Sequence, residues 1–572
     1  MAMVLQPILK TNSAKGDTLN SPRVTFNLPN DQGMIQYLKA EDNLSHSSKL
    51  HSIIKLISSP ETDDQLIIQW LNELKDNIRF LDNENKRITY ALLAIPWYTK
   101  DAQFIAAYKE FILNLIIADM SYLNVILTMF IKAFISGSSM DNVKQDLKRS
   151  QCIHLVLKSI LELVPISQNI FCTMMSERFP YIKSPPSVFL SYVQNMLTVS
   201  SYLQSKRPFI LQCIIEKLIY VDVHCSRETI AYYEQVAEDN NELMESMDTE
   251  APANAKTEEM AYLLARTLDI LMDCLFKYIK RTCFLEGKDE LDWKATKKLY
   301  KELLTIFDKV ILPTQECCHV QYLMFYICSL KQDLCDGFLD YLWKKVQDLK
   351  VGFIYRQIAA FYIGSVLSRA KYVSINTVTA CFDLMSSWIH RYINAHTSQD
   401  VGVHGTFHSV CQAMFYVFSF RIKELLNMPD GYRHLQSLNF DRIVTCRLNP
   451  LKYCDKTIVQ NFASTARNHQ IAYVYPVIEK NNRNLLYSAF ESKEESNSTG
   501  SMIRTFFPFD PYLLKKSKQW IEPHFRIYNH SHKEEDLEDH TDDEMDVNDE
   551  LFSYSCSPGF TRVRSVLKDA NG

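Results

Sequence analysis

Between residues 257 and 281 the apolar positions fall at Met260, Leu264, Leu268, Leu271, Leu275 and Ile279, in steps of four, four, three, four and four. Arg266, Asp269, Asp273, Lys277 and Lys280 step by three, four, four and three on the other side. That spacing predicts a two-faced helix of about seven turns. The same style recurs at 289–311, 318–331, 335–348, 353–371, 375–395 and 406–427. Residues 103–137 are apolar nearly all round, as expected of a central helix covered on several sides. Lys109, Asp119 and Lys132 interrupt that run, which argues for two soluble helices rather than one membrane span.

The links between these segments are short, often a polar pair or a proline. Many consecutive amphipathic helices with short links predict antiparallel pairs stacked into an α-solenoid. No fixed period is evident, so the expected architecture is an all-α array of degenerate HEAT-like helix pairs. The alternative is one globular all-helical domain, but single cores usually split beyond about 250–300 residues. The expected layout is a disordered arm at 1–30, a first array at 31–233, an acidic disordered loop at 234–259, a second array at 260–430, a less regular part at 431–528, and an acidic disordered tail at 529–572. Within 431–528, the run QIAYVYPVI has the composition of an extended segment. Residues 491–502 read as a flexible loop, and the aromatics and prolines of 506–528 argue for order.

Composition sharpens this picture. Of 572 residues only 13 are Gly and 19 Pro, too few for the turns of an all-β chain or for phosphate-cradling loops. The net charge of −5 hides a segregation. Residues 534–550 net −11 and residues 234–259 net −8, which leaves +14 on the other 529. The acidic strips repel themselves and are expected to stay solvated or to lie against a basic surface. The N-terminal residues lack a signal peptide's apolar stretch, and the 15 cysteines read as reduced, buried thiols of an intracellular protein. Two charge-free runs, 185–205 and 401–420, contain polar residues throughout and read as buried helices, so no membrane is expected.

No nucleotide, zinc-protease or nucleophile motif is present. Gly287-Lys288-Asp289 reads as a turn between helices. Cys317-Cys318-His319, with Cys328 and Cys335, is the one metal-like cluster, but zinc prefers spaced cysteine pairs in tight turns, so buried thiols are expected. His404 and His408 lack a third ligand and read as structural. No metal, cofactor or catalytic residue is expected, and the chain reads as a non-enzyme. The small basic clusters Lys297-Lys298, Lys344-Lys345 and Lys515-Lys516 read as solvated faces, so direct sequence-specific DNA reading is not expected. Ser184 and Ser557 precede prolines, and Ser565 has Arg562 three residues before it. These are the candidate phosphorylation sites.

Several blocks, in order along about residues 30–528, resemble the RNA polymerase I-specific transcription initiation factor family, known in animals as transcription initiation factor IA. They include 179–223, which ends in IIEKLIYVDV, then CCHVQYLMFYICSLK (317–331), DYLWKKVQD (340–348) and RQIAAFYIGSVLSRAK (356–371). HGTFHSVCQAMFYVFSFR (404–421), LQSLNFDRIVTCRLNPLKYC (435–454) and FFPFDPYLLKKSK (506–518) complete the set. The resemblance implies a HEAT-repeat fold without enzymatic activity. It implies a nuclear and nucleolar adaptor that binds RNA polymerase I near its stalk and bridges it to the promoter-bound selectivity factor at ribosomal RNA genes. Protein kinases would switch its competence with growth signals, and a homodimer of the free factor is implied. The pairs Ser47-Ser48, Ser58-Ser59 and Ser138-Ser139 are the candidates for the family's polymerase-facing serines. The helical pattern alone fits a HEAT-repeat scaffold or a nuclear transport receptor equally well.

Overall fold

The computed structural model describes residues 51–528, except 52, 60–61, 82–84, 136–142, 246–258, 286, 315–316, 397–402 and 492–506. Among the described residues the regular elements are all helical, with only isolated bridges pairing Phe284 with Leu291 and Ala370 with Phe525. The fold is all-α. The chain divides by packing into two compact units, Met1–Arg178 and Phe179–Gly572, so the division falls inside the stretch 31–233 expected as one array.

The first unit holds α1 (Asp64–Asp76), α2 (Lys86–Leu93), α3 (Ala102–Ala118), α4 (Leu123–Ala133), α5 (Val143–Leu163) and α6 (Ser167–Glu177). Asp63 starts α1 by accepting the Gln65 backbone N–H, and Asp101 starts α3 by accepting that of Phe104 at 2.8 Å. Such caps satisfy donors that the first helical turn leaves free. The described part of the apolar run 103–137 forms α3 and α4, joined through the 3-10 turn Met120–Tyr122 and bent by 116°. Phe104, Tyr108, Phe111, Ile112 and Leu115 of α3 are fully buried, with α1 and α5 packed on that helix. No single described helix is long and apolar enough to cross a membrane.

The second unit runs from α7 (Pro186–Tyr202) through α8 (Arg207–Val223), α9 (Arg227–Glu245), α10 (Leu263–Cys283) and α11 (Trp293–Ile306). It continues with α12 (Tyr322–Ser329), α13 (Gln332–Gln347), α14 (Phe353–Arg369), α15 (Ile375–Ala395) and α16 (Gly405–Leu426). Successive helices pack on one another: α7 on α8, α10 on α11, α12 on α13, α13 on α14, and α15 on α16. Between α14 and α16 a glycine sets the approach. A Cβ on Gly364 would stand 3.0 Å from Ala413 Cβ and 3.1 Å from its Cα. Gly287 takes φ 75° in the turn between α10 and α11, a conformation open to glycine at little cost.

Two expectations change, and the second face of α10 gains its surroundings. The charged face of α10 is mixed: Lys277 and Lys280 are exposed, whereas Asp269 and Asp273 are only 2% and 3% exposed. The acidic stretch 234–259 begins inside a helix, not a loop. Ser226 caps α9 at the Thr229 N–H, and the helix carries the chain to Glu245 while burying Ile230 and Glu234. The segment QIAYVYPVI is not extended throughout, because Tyr475 and Pro476 open the helix α21 described below. Proline is tolerated in a first turn, where its missing N–H has no partner to lose.

The irregular texture after 430 resolves into α17 (Gly431–Ser437), α18 (Phe440–Val444) and α19 (Pro450–Tyr453). Each is preceded by a residue in left-handed conformation, Asp430, Asn439 and Asn449, with φ of 57°, 51° and 43°. Asp and Asn tolerate that region best among residues with a Cβ. Two longer helices follow, α20 (Lys456–Asn468) and α21 (Tyr475–Glu491).

Candidate functional site

Residues 507–528 form a strap that crosses the second unit. Pro508, Pro511 and Pro523 keep the strap from forming a long helix, and its side and main chains fasten to four helices in turn. Gln321 donates to Pro508 O at 2.6 Å, and Tyr322 donates to Asp510 O, both from the start of α12. Phe509 N donates to Ser365 Oγ of α14 at 3.2 Å, and Asp510 faces the Arg369 guanidinium at 3.5 Å. Asp269 of α10 accepts Lys516 N at 2.8 Å, Ser517 N at 2.7 Å and the Ser517 hydroxyl. Asp273 accepts the Trp520 indole N–H at 2.9 Å. Lys371 N donates to His524 O, Arg526 N donates to Arg369 O, and Arg526 reaches Glu424 of α16. This strap is what buries Asp269 and Asp273 on the charged face of α10.

Beneath the strap lies a second polar node. Asp222, at the end of α8, has no exposed surface. Its carboxylate accepts the N–H groups of Cys318, His319 and Val320 at 2.9, 2.7 and 3.0 Å. It also accepts His319 Nδ1–H at 2.9 Å and the Cys317 thiol at 3.0 Å. Burial works to raise the Asp222 carboxyl, but the His319 imidazole and these donors prevail and hold it below its ordinary value. The same carboxylate and its burial push the Cys317 thiol well up. A thiol held protonated in the interior is a poor nucleophile and a poor metal ligand. The Asp–His–Cys constellation is therefore a structural anchor for the turn that leads into α12.

The histidine pair diverges as well. The Tyr392 hydroxyl meets His404 Nδ1 at 3.0 Å, whereas His408 donates from Nε2 to Leu448 O at 2.9 Å. Burial lowers His408 to about 4. Among the described residues no three His, Cys, Asp or Glu side chains converge as metal ligands.

The strap and node join blocks that lie far apart in sequence: IIEKLIYVDV, CCHVQY, SVLSRAK and FDPYLLKKSK. Residues 35–533 match the family model described as RNA polymerase I specific transcription initiation factor RRN3. The chain belongs to that family. It is 35% identical over 558 residues to the mouse (Mus musculus) RNA polymerase I-specific transcription initiation factor RRN3, covering 91% of this chain and 84% of the relative. The Schizosaccharomyces pombe factor of the same description is 27% identical, with 83% and 81% covered. A crystal structure of RNA polymerase I transcription initiation factor Rrn3 superposes with a TM-score of 0.68 at 23% identity, covering 84% of this chain and 94% of that one. That last likeness is one of fold, and it agrees with the all-helical architecture.

As a member of the family the chain carries the blocks that bear the resemblance as packing parts, not as an exposed chemical centre. The serines singled out from sequence lie elsewhere. Ser58 is exposed at the end of the helical residues 53–58, and Ser59 follows it half-buried. Ser184 sits half-buried in the turn before α7, its N–H bonded to Tyr181 O at 2.8 Å. Ser47, Ser48, Ser138, Ser139, Ser557 and Ser565 lie outside the described residues. Sequence reading gave no role to Asp222, Asp269, Asp273 or Arg421. The available signal was a lone charge inside an apolar block, as in IYVDV and VFSFR. Arg421 is 1% exposed and donates to Val373 O at 3.0 Å.

Proposed function

We propose that this RNA polymerase I-specific transcription initiation factor works as a non-catalytic adaptor in the nucleus and nucleolus. It binds RNA polymerase I near the stalk and bridges it to the promoter-bound selectivity factor at ribosomal RNA genes. The observation that carries this reading is the use of the family blocks. Their ionisable groups are spent inside the second unit on main-chain donors and carbonyls, which leaves the helical exterior as the working surface. A long helical surface can hold two partners at once, and each contact can be weak because tethering raises the effective concentration of the other.

Phosphorylation sets the competence of this adaptor in the proposal. A phosphate adds nearly two charges at neutral pH, enough to reverse the match between two surfaces. The candidates are Ser184, Ser557 and Ser565, together with Ser47, Ser48, Ser58, Ser59, Ser138 and Ser139 on the polymerase-facing side. The free factor pairs with itself.

Affinity capture from nuclear extract tests the reading. The tagged chain should retain RNA polymerase I, and phosphatase treatment should change the yield. Failure to retain polymerase in either state would remove the adaptor assignment. Unchanged capture by Ser138→Glu with Ser139→Glu would remove that pair alone. Sedimentation of the purified chain over a concentration series tests the homodimer.

A further inference from the structure

The outward side of α11 and of the π-helical turn after it, Phe307–Ile311, carries Lys294, Lys297, Lys298, Lys301 and Lys309, all exposed. Residues three and four apart on a helix are neighbours, so the first four form one continuous cationic face. Three carboxylates in and beside this helical stretch are already engaged. Glu302 holds Arg207 in a two-pronged pair at 2.7 and 2.9 Å, and Asp308 is held by Lys345 and Tyr341. Asp292 is occupied in capping the helix at Ala295 N, 3.0 Å away. Among the described residues none of the five lysines forms an ion pair; Lys298 donates to Gln204 at 3.3 Å. Lys331 sits 4.0 Å over the exposed Trp293 ring at the start of the same face.

The complement is encoded in the same chain. Residues 534–550 carry eleven acids and no base. The strap delivers the chain to Tyr528, whose ring lies 4.5 Å from Phe420 of α16. Helix α16 packs on α14, α14 on α13, and α13 on α11. Three such steps span roughly 30 Å at about 10 Å per helix pair. The six residues from Tyr528 to Glu534 reach about 20 Å, and the acidic strip itself extends to about 60 Å. The strip is therefore long enough to reach α11 and to run its length.

We propose that the lysine face of α11 is the docking surface for the chain's own acidic segment 534–550. The charges match in sign and in linear arrangement, and the tether keeps the strip at an effective concentration in the millimolar range. Each exposed pair contributes little, so the contact is reversible and salt-sensitive. An acidic surface or a polyphosphate of another molecule must displace the strip before it can use this face. The proposal does not depend on the adaptor reading.

Carbodiimide cross-linking of the full-length protein tests it, because the reagent joins only carboxylates and amines already in contact. Cross-links from acids of 534–550 to Lys294, Lys297, Lys298, Lys301 or Lys309 are expected in the monomer band at low salt. They should fade toward 1 M salt, where the screening length falls to about 3 Å. As a second measurement, the lysines are acetylated with a mild active ester and read by mass spectrometry. Replacing the acids of 534–550 by Asn and Gln should raise acetylation of the five lysines severalfold and leave Lys100 unchanged. Cross-links to other lysines, with α11 reactivity unchanged by tail neutralisation, would overturn the proposal. Cross-links confined to dimers would assign the face to a second copy's tail and also overturn it. Protection by an added DNA duplex, without any effect of neutralising the tail, would make the face a nucleic-acid surface instead.

Discussion

The Asp222 carboxylate and the His319 imidazole meet at 2.9 Å with neither side chain exposed. Three backbone N–H groups and the Cys317 thiol point at the same carboxylate. An amide in its place loses the charge and turns an NH2 donor toward one set of these donors in the interior. Asp222→Asn should therefore destabilise the second unit by about 3–5 kcal/mol, as for the loss of one partner from a buried charge pair. The pH dependence has a defined sign. A carboxyl held below its ordinary value contributes stability that is fully present above the unfolded-state pKa of about 4, and that contribution disappears as pH falls through the lower folded-state value. Urea unfolding of wild type and variant should differ equally at pH 7 and pH 5, with the gap closing in stronger acid. A gap that widens on acidification contradicts the assignment.

His408 makes the opposite residue type behave in the same direction. Burial lowers it to about 4 from the ordinary 6.5, opposed by its hydrogen bond to Leu448. The neutral imidazole is the form the fold accepts. Its contribution is thus present above the unfolded pKa and is lost as pH falls toward the folded one. A shift from 6.5 to about 4 corresponds to roughly 3 kcal/mol. His408→Gln should flatten the fall in stability between pH 7 and pH 4.5, measured as wild type minus variant. Equal slopes for the two proteins would show that another group carries that window.

Helix α10 shows how much of the fold was legible and where legibility ended. The apolar positions Leu268, Leu271, Leu275 and Ile279 are all buried, as the periodicity predicts. The polar positions were read as a second face, with no surroundings assigned to them. Asp269 and Asp273 meet the strap, whose residues lie more than two hundred positions away, and nothing within the helix encodes that return. Helix–helix packing follows local periodicity, whereas a strap is held by main-chain groups and by a few charges in apolar blocks. The blocks that carry the family resemblance could be recognised without revealing that they touch. The serines were legible as residue types, but their surroundings depend on which surface faces a partner, and one chain does not contain that information.

The strap should be separable from the helices in its energetics. Trp520→Phe keeps the ring that packs near Phe276 and Tyr326 but removes the N–H given to Asp273. Leaving a buried carboxylate short of one donor costs about 1–3 kcal/mol. Ser517→Ala should have a similar cost through Asp269. The two bonds belong to one strap, so the double variant should lose less than the sum of the single losses. Hydrogen exchange in α10 should quicken in each variant. Strict additivity would indicate that the strap residues act as independent surface contacts.

Ser184 offers a test in which charge should stabilise. It lies two residues before α7, whose start has no side-chain cap and no acid in its first turn. The positive end of a helix dipole favours a nearby negative charge by about 0.3–1 kcal/mol, and salt screens the effect. Ser184→Glu should therefore leave stability unchanged or raise it slightly at low ionic strength, with the gain fading in high salt. Ser184→Ala should be neutral. If so, any change in partner capture on phosphorylation at Ser184 arises from altered surface charge, because the helix start stays folded. A loss of more than about 1 kcal/mol in Ser184→Glu, read from denaturant midpoints at low salt, would instead mean that the half-buried hydroxyl is needed for packing in this turn. Phosphorylation would then act by loosening the start of α7.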